Sequence, residues 1–469
     1  MDYISELKKT VIDNGYCIGC GACSFASSGK VEIKKNDIGQ LEAVISNIES
    51  NDTNYSVLDI CPFYNNDYNE DAIGKELYVE LNNIKHDEYI GYNLINYAGF
   101  VKQGEYRKKG SSGGFGTWIA SKLLEEGLVD KIIHVKSSNS DDLLFDYQLS
   151  SNLEETQKGS KSRYYPIEMS KVLDYVVNND YKYLFVGVPC FVKAVRQLQK
   201  QFPLLKERIK FTLGLVCGHL KSDFFGKSMA WELGIHPDDL KEIDFRVKNT
   251  EKAANNYNIK VSGIIDNEKV DIESPTKELF VSNWGHGFFK YKACDYCDDV
   301  LAETADVTIG DAWLPEYSKD SSGTNVITIR NESINKLFNK YKDEINVDII
   351  TSEQVYQSQA GGFRHRRDGL SYRLYVADQK GIWRPIKRVS PRSDISKNRK
   401  IIYEKRIELV EKSFEAYKSA IEHNDFSIIP KRLKPLISDY DRKYNGNRIV
   451  YFLKRVLRKL RRIMKPVSK

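Results

Sequence analysis

In the stretch YKYLFVGVPCFVKAVRQLQKQF, residues 181–202, a β-rich apolar run meets Gly187 and Pro189, then Cys190, then a helical pattern. Glycine and proline at such a junction end one element and open the next. Strand KIIHV (131–135) and helix EMSKVLDYVVNN (168–179) precede this unit. Strand FTLGLV (211–216) and helix DFFGKSMAWELGI (223–235) follow it. Alternation of this kind predicts an α/β protein with a parallel or mixed sheet flanked by helices. Residues 244–290 read as β-rich, since IDFRVKN, NYNIKVSG and VDIES alternate between short turns, and beyond about residue 333 the pattern is mainly helical and charged.

At 469 residues, and roughly 150 residues per domain, the chain is expected to fold as two to four units. Its 41% apolar and 29% charged residues are an ordinary globular mixture and exclude wholesale disorder. The longest apolar runs, such as 183–188 and 211–216, are far short of the roughly 20 residues that cross a bilayer. MDYISELKKT at the start has no apolar core before a cleavage site, so no export signal is read and the cytoplasm is the expected compartment.

Charge is uneven along the chain. The net charge is +6, but residues 431–469 carry 14 Lys/Arg against Asp439 and Asp441, which leaves the preceding residues mildly acidic. The excess therefore indicates no nucleic-acid groove in the body. Over 446–465, Ile449, Phe452, Leu453, Val456, Leu457, Leu460, Ile463 and Met464 form a stripe opposite Lys454, Arg455, Arg458, Arg461, Arg462 and Lys465. This predicts either a helix lying on an anionic membrane surface, hence a peripheral place at its inner face, or an ordinary basic terminal helix.

Eight cysteines remain to be explained, and in a reducing cytosol metal or redox chemistry leads over disulfides. Cys17, Cys20 and Cys23 lie in CIGCGAC, whose glycines let the backbone wrap a bulky anionic cluster. Where the ferredoxin pattern has its fourth cysteine, this chain has Ser27; Cys61-Pro62, beyond a 37-residue insert, is the natural replacement. These four are assigned to one 4Fe-4S cluster in a small ferredoxin-type domain, ahead of a zinc knuckle, for which the third closely spaced cysteine would be surplus. Cys190 and Cys217 end predicted strands, at the sheet edge where ligands collect, and Cys294 and Cys297 form CDYC. Spacing alone leaves two readings of this dispersed set open: a second cluster, or buried apolar thiols.

GSSGGFG, residues 110–116, opens a helical pattern with Ser111, Ser112, Gly113 and Gly114, just after Arg107, Lys108 and Lys109. Free amides at a helix start suit a phosphate, although a plain N-cap is the simpler alternative. The loop matches neither GxGxxG nor GxxxxGK[ST]. KGSKSRY (158–164), containing Lys161, is a second basic loop that would meet the same phosphates or be solvated. The seven histidines form no HxxxH array and no GxSxG occurs, which disfavours zinc or serine hydrolases and leaves no catalytic residue assigned; His219 and His286 read as structural, and Asp306 and Asp311 as caps or turns.

With CIGCGAC and Cys61-Pro62, the landmarks YAGFVKQGEYRKKGSSGG, GSKSRYYP, GVPCFVKAVRQL, GLVCGH, IDFRVK, CDYC and ADVTIGDAW follow in order over roughly residues 15–330. In this the chain resembles the coenzyme F420 hydrogenase/dehydrogenase beta subunits. The resemblance implies FAD and two 4Fe-4S clusters, with Cys190, Cys217, Cys294 and Cys297 as ligands of the second and the SSGG loop near the flavin. Cys217-Gly218-His219 and GVPCF depart from the family's CHG and GTPCQ, so substrate specificity, F420 included, does not transfer. The expected organisation is a ferredoxin-type 4Fe-4S domain over 1–75, an FAD/4Fe-4S catalytic domain over 90–335, a mainly helical region over 336–430 and the basic tail over 431–469. The expected activity passes electrons between ferredoxin or a similar carrier and a small organic hydride acceptor or donor, in a setting such as cell-surface polysaccharide metabolism. The rivals are an electron-transfer adaptor for a partner oxidoreductase and an idle scaffold.

Overall fold

The computed structural model describes residues 3–45, 56–64, 67–138 and 143–445, so the stripe read over 446–465 lies outside the described residues. Two compact units are drawn from the chain. One comprises Met1–Ser282 and Lys290–Arg392, the other Asn283–Phe289 and Ser393–Lys469.

The first unit is built on an eight-stranded sheet: β1 (Ile95–Val101), β2 (Lys131–Ser137), β3 (Phe145–Ser150), β4 (Tyr183–Gly187), β5 (Ile209–Leu215), β6 (Val307–Asp311), β7 (Asn325–Ile329) and β8 (Ile345–Ile349). The strand order is β8-β1-β7-β6-β5-β4-β2-β3. Parallel pairing is confined to β2, β4, β5 and β6, and every pairing outside them is antiparallel. The parallel strands are the ones whose connections contain helices long enough to cross back over the sheet. Of the flanking strands, β3, β7 and β8 run the other way, whereas β1, two antiparallel steps from β6, runs with the parallel set.

Helices α1 (Phe115–Glu125), α2 (Ser170–Asn178), α3 (Pro189–Gln201) and α4 (Phe224–Glu232) accompany the sheet. Pro189 stands at the start of α3, where its missing N–H costs nothing. Alternate side chains of a strand face opposite sides, and here both sides are covered. Leu184, Ile132 and Leu213 pack with Phe115 and Trp118, whereas Phe185 and Ile133 pack with Phe191, Val195 and Leu198 of α3. Strands covered on both faces read as continuous apolar runs, which is why YLFVG shows no polar alternation. Each such side chain contributes about 1.5–3 kcal/mol by leaving water.

Strand β8 is an element that the mainly helical pattern beyond residue 333 does not announce. INVDI does alternate apolar and polar residues, the signal of a half-buried strand, but it sits among charged helical stretches and leaves Ile349 exposed at the sheet edge. The β-rich stretch is a three-stranded antiparallel sheet of Leu240–Val247, Asn258–Ile265 and Glu268–Pro275. The reading of Asp306 is corrected. It is no cap but a buried partner of Arg196 at 2.8 Å, and it accepts the Thr212 amide at 2.7 Å.

The N-terminal segment, with its hairpin Val31–Lys35 and Leu41–Ile45, shares the core on the Phe185 side: Val11, Tyr16, Ile18 and Phe25 belong to the same hydrophobic cluster as Val195 and Leu198. After β8 come α5 (Ala360–Arg366) and α6 (Asp368–Gln379). In the second unit, α7 (Lys397–His423) and α8 (Ile428–Asn445) pack together, joined through Asn424 in the left-handed conformation and tied by Lys405 to Asp439. Among the described residues, no helix is long and apolar enough to cross a membrane.

Candidate functional site

The structure brings Cys17, Cys20, Cys23 and Cys61 together. Gly19 and Gly21 adopt positive φ within the loop, and at Gly19 a Cβ would sit 2.4 Å from the Leu41 carbonyl oxygen, so only glycine lets the loop lie against the hairpin. The amides of Gly19 and Ala43 donate to Cys17 Sγ at 3.4 and 3.3 Å. Cys61 follows a turn in which its amide donates to Leu58, and Phe63 beyond it is buried. Burial raises all four thiols. Each set member also repels its neighbours: Cys23 is raised further by Cys17, Cys20 and Cys61, and Cys61 is pushed up to about 12.

Cys190, Cys217, Cys294 and Cys297 form the second gathering. Cys190 occupies the first turn of α3, Cys217 lies just past β5, and Cys294 lies within a short 3₁₀ turn, Lys292–Tyr296, that Cys297 closes. The Leu220 amide donates to Cys294 Sγ at 3.2 Å. Cys190 is raised well above the usual thiol value by burial, and then by Cys297, Cys217 and Cys294. Burial pushes Cys294 up to about 12, with Cys217 adding to it. The two gatherings are neighbours, since Cys20 and Cys297 belong to one hydrophobic cluster against which Cys17, Cys23, Cys61 and Cys190 pack.

Thiols held in this way are protonated at neutral pH unless a cation replaces the protons. Four buried or half-buried thiols, with backbone N–H groups aimed at sulfur, suit a thiolate-ligated iron-sulfur cluster, whose potential such hydrogen bonds tune. Among the described residues, no three His, Cys, Asp or Glu side chains converge on a point that would hold a single metal ion.

The Gly-Ser loop and the second basic loop meet: Ser111 Oγ accepts the Ser162 amide at 2.9 Å. Ser112 is not left as a free cap, because its hydroxyl donates to the Thr324 carbonyl at 2.9 Å. At Gly114, φ is 91°, and a Cβ would sit 2.6 Å from the Tyr106 carbonyl carbon. The Phe115 amide at the start of α1 is taken by Asn325 Oδ1. Lys161 lies 3.2 Å from Asp244 Oδ2 and donates to the Arg246 carbonyl.

Sequence reasoning missed Arg246, Lys248 and Arg163. Arg246 reaches from the three-stranded sheet to bind Asp311 through two nitrogens, at 3.0 and 3.2 Å, and donates to the Ser111 carbonyl. Asp311 is thereby a partner of this site, not a turn residue. Lys248 donates to the carbonyls of Ser112, at 2.8 Å, and Arg107. Burial, aided by Arg107, Lys161 and Arg246, pulls its ammonium down to about 7. Arg246 Nε and Arg163 Nε and Nη1 are buried without a hydrogen-bond partner. Crowded, half-satisfied cations beside a glycine loop fit a phosphate-bearing ligand. The landmarks IDFRVK and GSKSRYYP contained these residues, but nothing in their spacing joins them to residue 111.

Fold and site define an α/β redox-type architecture, with two thiol sets at a sheet edge and a basic glycine-serine loop. Residues 96–174 match the N-terminal part, and residues 180–354 the C-terminal part, of the family described as coenzyme F420 hydrogenase/dehydrogenase, beta subunit. The matches take in more than half of the chain, which belongs to this oxidoreductase family. An uncharacterized protein of Methanocaldococcus jannaschii is 26% identical over 241 residues, 50% of this chain and 80% of that protein. A chain of the F420-reducing [NiFe] hydrogenase complex from Methanosarcina barkeri superposes with a TM-score of 0.47 at 18% identity, covering 65% of this chain and 98% of that one. Cys17 to Cys61 precede the matched residues.

Proposed function

We propose that the protein is an FAD-dependent iron-sulfur oxidoreductase that exchanges electrons between a ferredoxin-like carrier and a small organic hydride donor or acceptor. Cys17, Cys20, Cys23 and Cys61 would hold one 4Fe-4S cluster, and Cys190, Cys217, Cys294 and Cys297 a second. Ser111, Ser112, Gly113, Gly114 and Lys161, joined by Arg246 and Lys248, would hold the FAD pyrophosphate. The observation that carries the reading is the adjacency of the two thiol sets: one hydrophobic cluster contains or touches Cys17, Cys20, Cys23 and Cys61 of the first and Cys190 and Cys297 of the second.

When bound, a flavin exchanges two electrons as hydride and also single electrons, whereas each cluster carries one electron at a time. The chain's own residues do the rest. Backbone amides of Gly19, Ala43 and Leu220 stabilise negative charge on sulfur. Phe185, Phe191 and Tyr16 belong to the hydrophobic cluster that contains Cys20 and packs against Cys17 and Cys190, and would help to exclude water there. Lys248 holds or releases a proton beside the phosphate position, where its lowered value lets it answer to ligand charge.

Anaerobic purification is expected to yield a brown-yellow protein with about eight irons and one flavin per chain, as two four-cysteine sets require. A colourless zinc protein would refute the reading. Reduction of a small acceptor by the isolated chain with reduced ferredoxin identifies an enzyme. Activity only beside a partner oxidoreductase identifies an adaptor.

A further inference from the structure

Arg366, the last residue of α5, is 3% exposed and lies against the second thiol set. Its Nη1 donates to Cys297 Sγ at 2.9 Å and to the Asp299 carbonyl. Its Nη2 donates to the carbonyls of Cys217 and Gly218 at 2.9 and 2.7 Å. Among the described residues, the hydrogen bonds of this guanidinium run to one sulfur and three backbone carbonyls, and no ion pair joins it to a carboxylate. The nearby acids are engaged elsewhere: Asp299, which acts on Arg366 through space, accepts the amides of Leu301 and Glu303, Asp298 meets Lys387 and Arg388, and Glu303 meets Arg388 and Arg367. Three carbonyls fix the planar fork, so its charge cannot swing away from the sulfur. Residue 366 lies beyond the family-matched span, which ends at residue 354. This contact is thus supplied by the chain's own helical extension.

We propose that Arg366 is a positioning residue that raises the reduction potential of the cluster held by Cys190, Cys217, Cys294 and Cys297, a proposal that rests on the function argued above. One-electron reduction, by dithionite in a titration, adds one negative charge to this buried site without breaking a bond. A fixed positive charge in hydrogen-bond contact with a ligating sulfur favours that added charge, and hydrogen bonds to sulfur are an established lever on cluster potential.

The test is an anaerobic redox titration of the holoprotein followed by paramagnetic resonance, in the wild type, Arg366→Lys and Arg366→Gln. Expected are two midpoint potentials in the wild type, one of which moves to a more negative value in Arg366→Gln while the other stays. Arg366→Lys, which keeps the charge, should hold that potential close to the wild-type value. Full iron content in Arg366→Gln with both potentials unmoved overturns the proposal alone. Absence of clusters from the wild type overturns the function on which it rests. If Arg366→Gln fails to fold or loses iron, the unaltered protein decides. Grown on arginine labelled with ¹⁵N in the guanidinium and then reduced, it should show a nitrogen hyperfine coupling that Arg366→Lys lacks, and a spectrum without that coupling overturns the proposal.

Discussion

At the scale of single residues, the basic loop cluster is a strained arrangement that a ligand would relieve. Lys248 faces Arg107, Lys161 and Arg246, with Asp311 the opposing carboxylate, and its value of about 7 lies below the ordinary 10.5. Between these values the unfolded chain binds a proton that the folded chain lacks, so stability without ligand rises with pH across that window. A phosphate beside Lys248 restores its proton. Binding of FAD or of pyrophosphate should therefore weaken as pH climbs from 7, by up to about tenfold per pH unit. Isothermal titration at a series of pH values checks this, and Lys248→Met should flatten the dependence. Gly114→Ala forces a side chain into a left-handed position against Tyr106. It should cost about 1–3 kcal/mol in urea unfolding and diminish flavin retention.

At the scale of elements, α3 does two tasks with one sequence. Its apolar face, Val192, Val195 and Leu198, joins the core on one side of the sheet, and Leu198→Ala should cost about 2–5 kcal/mol by urea titration. Its other face buries Lys193, 3.1 Å from Glu70. Burial would raise the Glu70 carboxyl, but Lys193 and Arg388 outweigh it and hold the group below 4.5. The stability this contributes is present above pH 4.5 and fades as pH falls through the lowered value. Lys193→Met leaves Arg388, 3.7 Å away, as the nearest remaining cation to the carboxylate and should cost up to about 3 kcal/mol at neutral pH, with part recovered when Glu70→Gln is added. The strand and helix of 181–202 were legible because local patterning and tertiary burial agree there. Strand β8 was not singled out because its alternating five residues are set among charged helical neighbours, and Asp306 was read as a cap or turn because its partners Arg196 and Thr212 are remote in sequence. Arg246 and Arg366 were unreadable for the same reason: each meets its site only after the chain has closed over distances that no local pattern records.

For the whole molecule, the thiols at positions 17–61 and those at 190–297 come from chain segments far apart, yet one hydrophobic cluster contains or touches Cys17, Cys20, Cys23, Cys61, Cys190 and Cys297. The Cys20 carbonyl accepts the Met169 amide at the start of α2 at 3.0 Å, which pins the first loop to the sheet's helical layer. Charge on Cys20 raises the Cys190 thiol. If each set carries a cluster, two reduced clusters so close cannot behave as independent spins. Stepwise dithionite reduction should give a simple spectrum while one cluster is reduced, then broadened, split features when both are. Cys190→Ser, expected to retain about four irons, should show only the simple spectrum at every stage. Charge coupling should appear in the same titration, because an electron on the first cluster disfavours the next on the second and spreads the two midpoints apart. A fully reduced wild type whose spectrum is the plain sum of two isolated clusters would show that the two thiol sets do not act together, and would remove the electron path from which the proposed activity draws its logic.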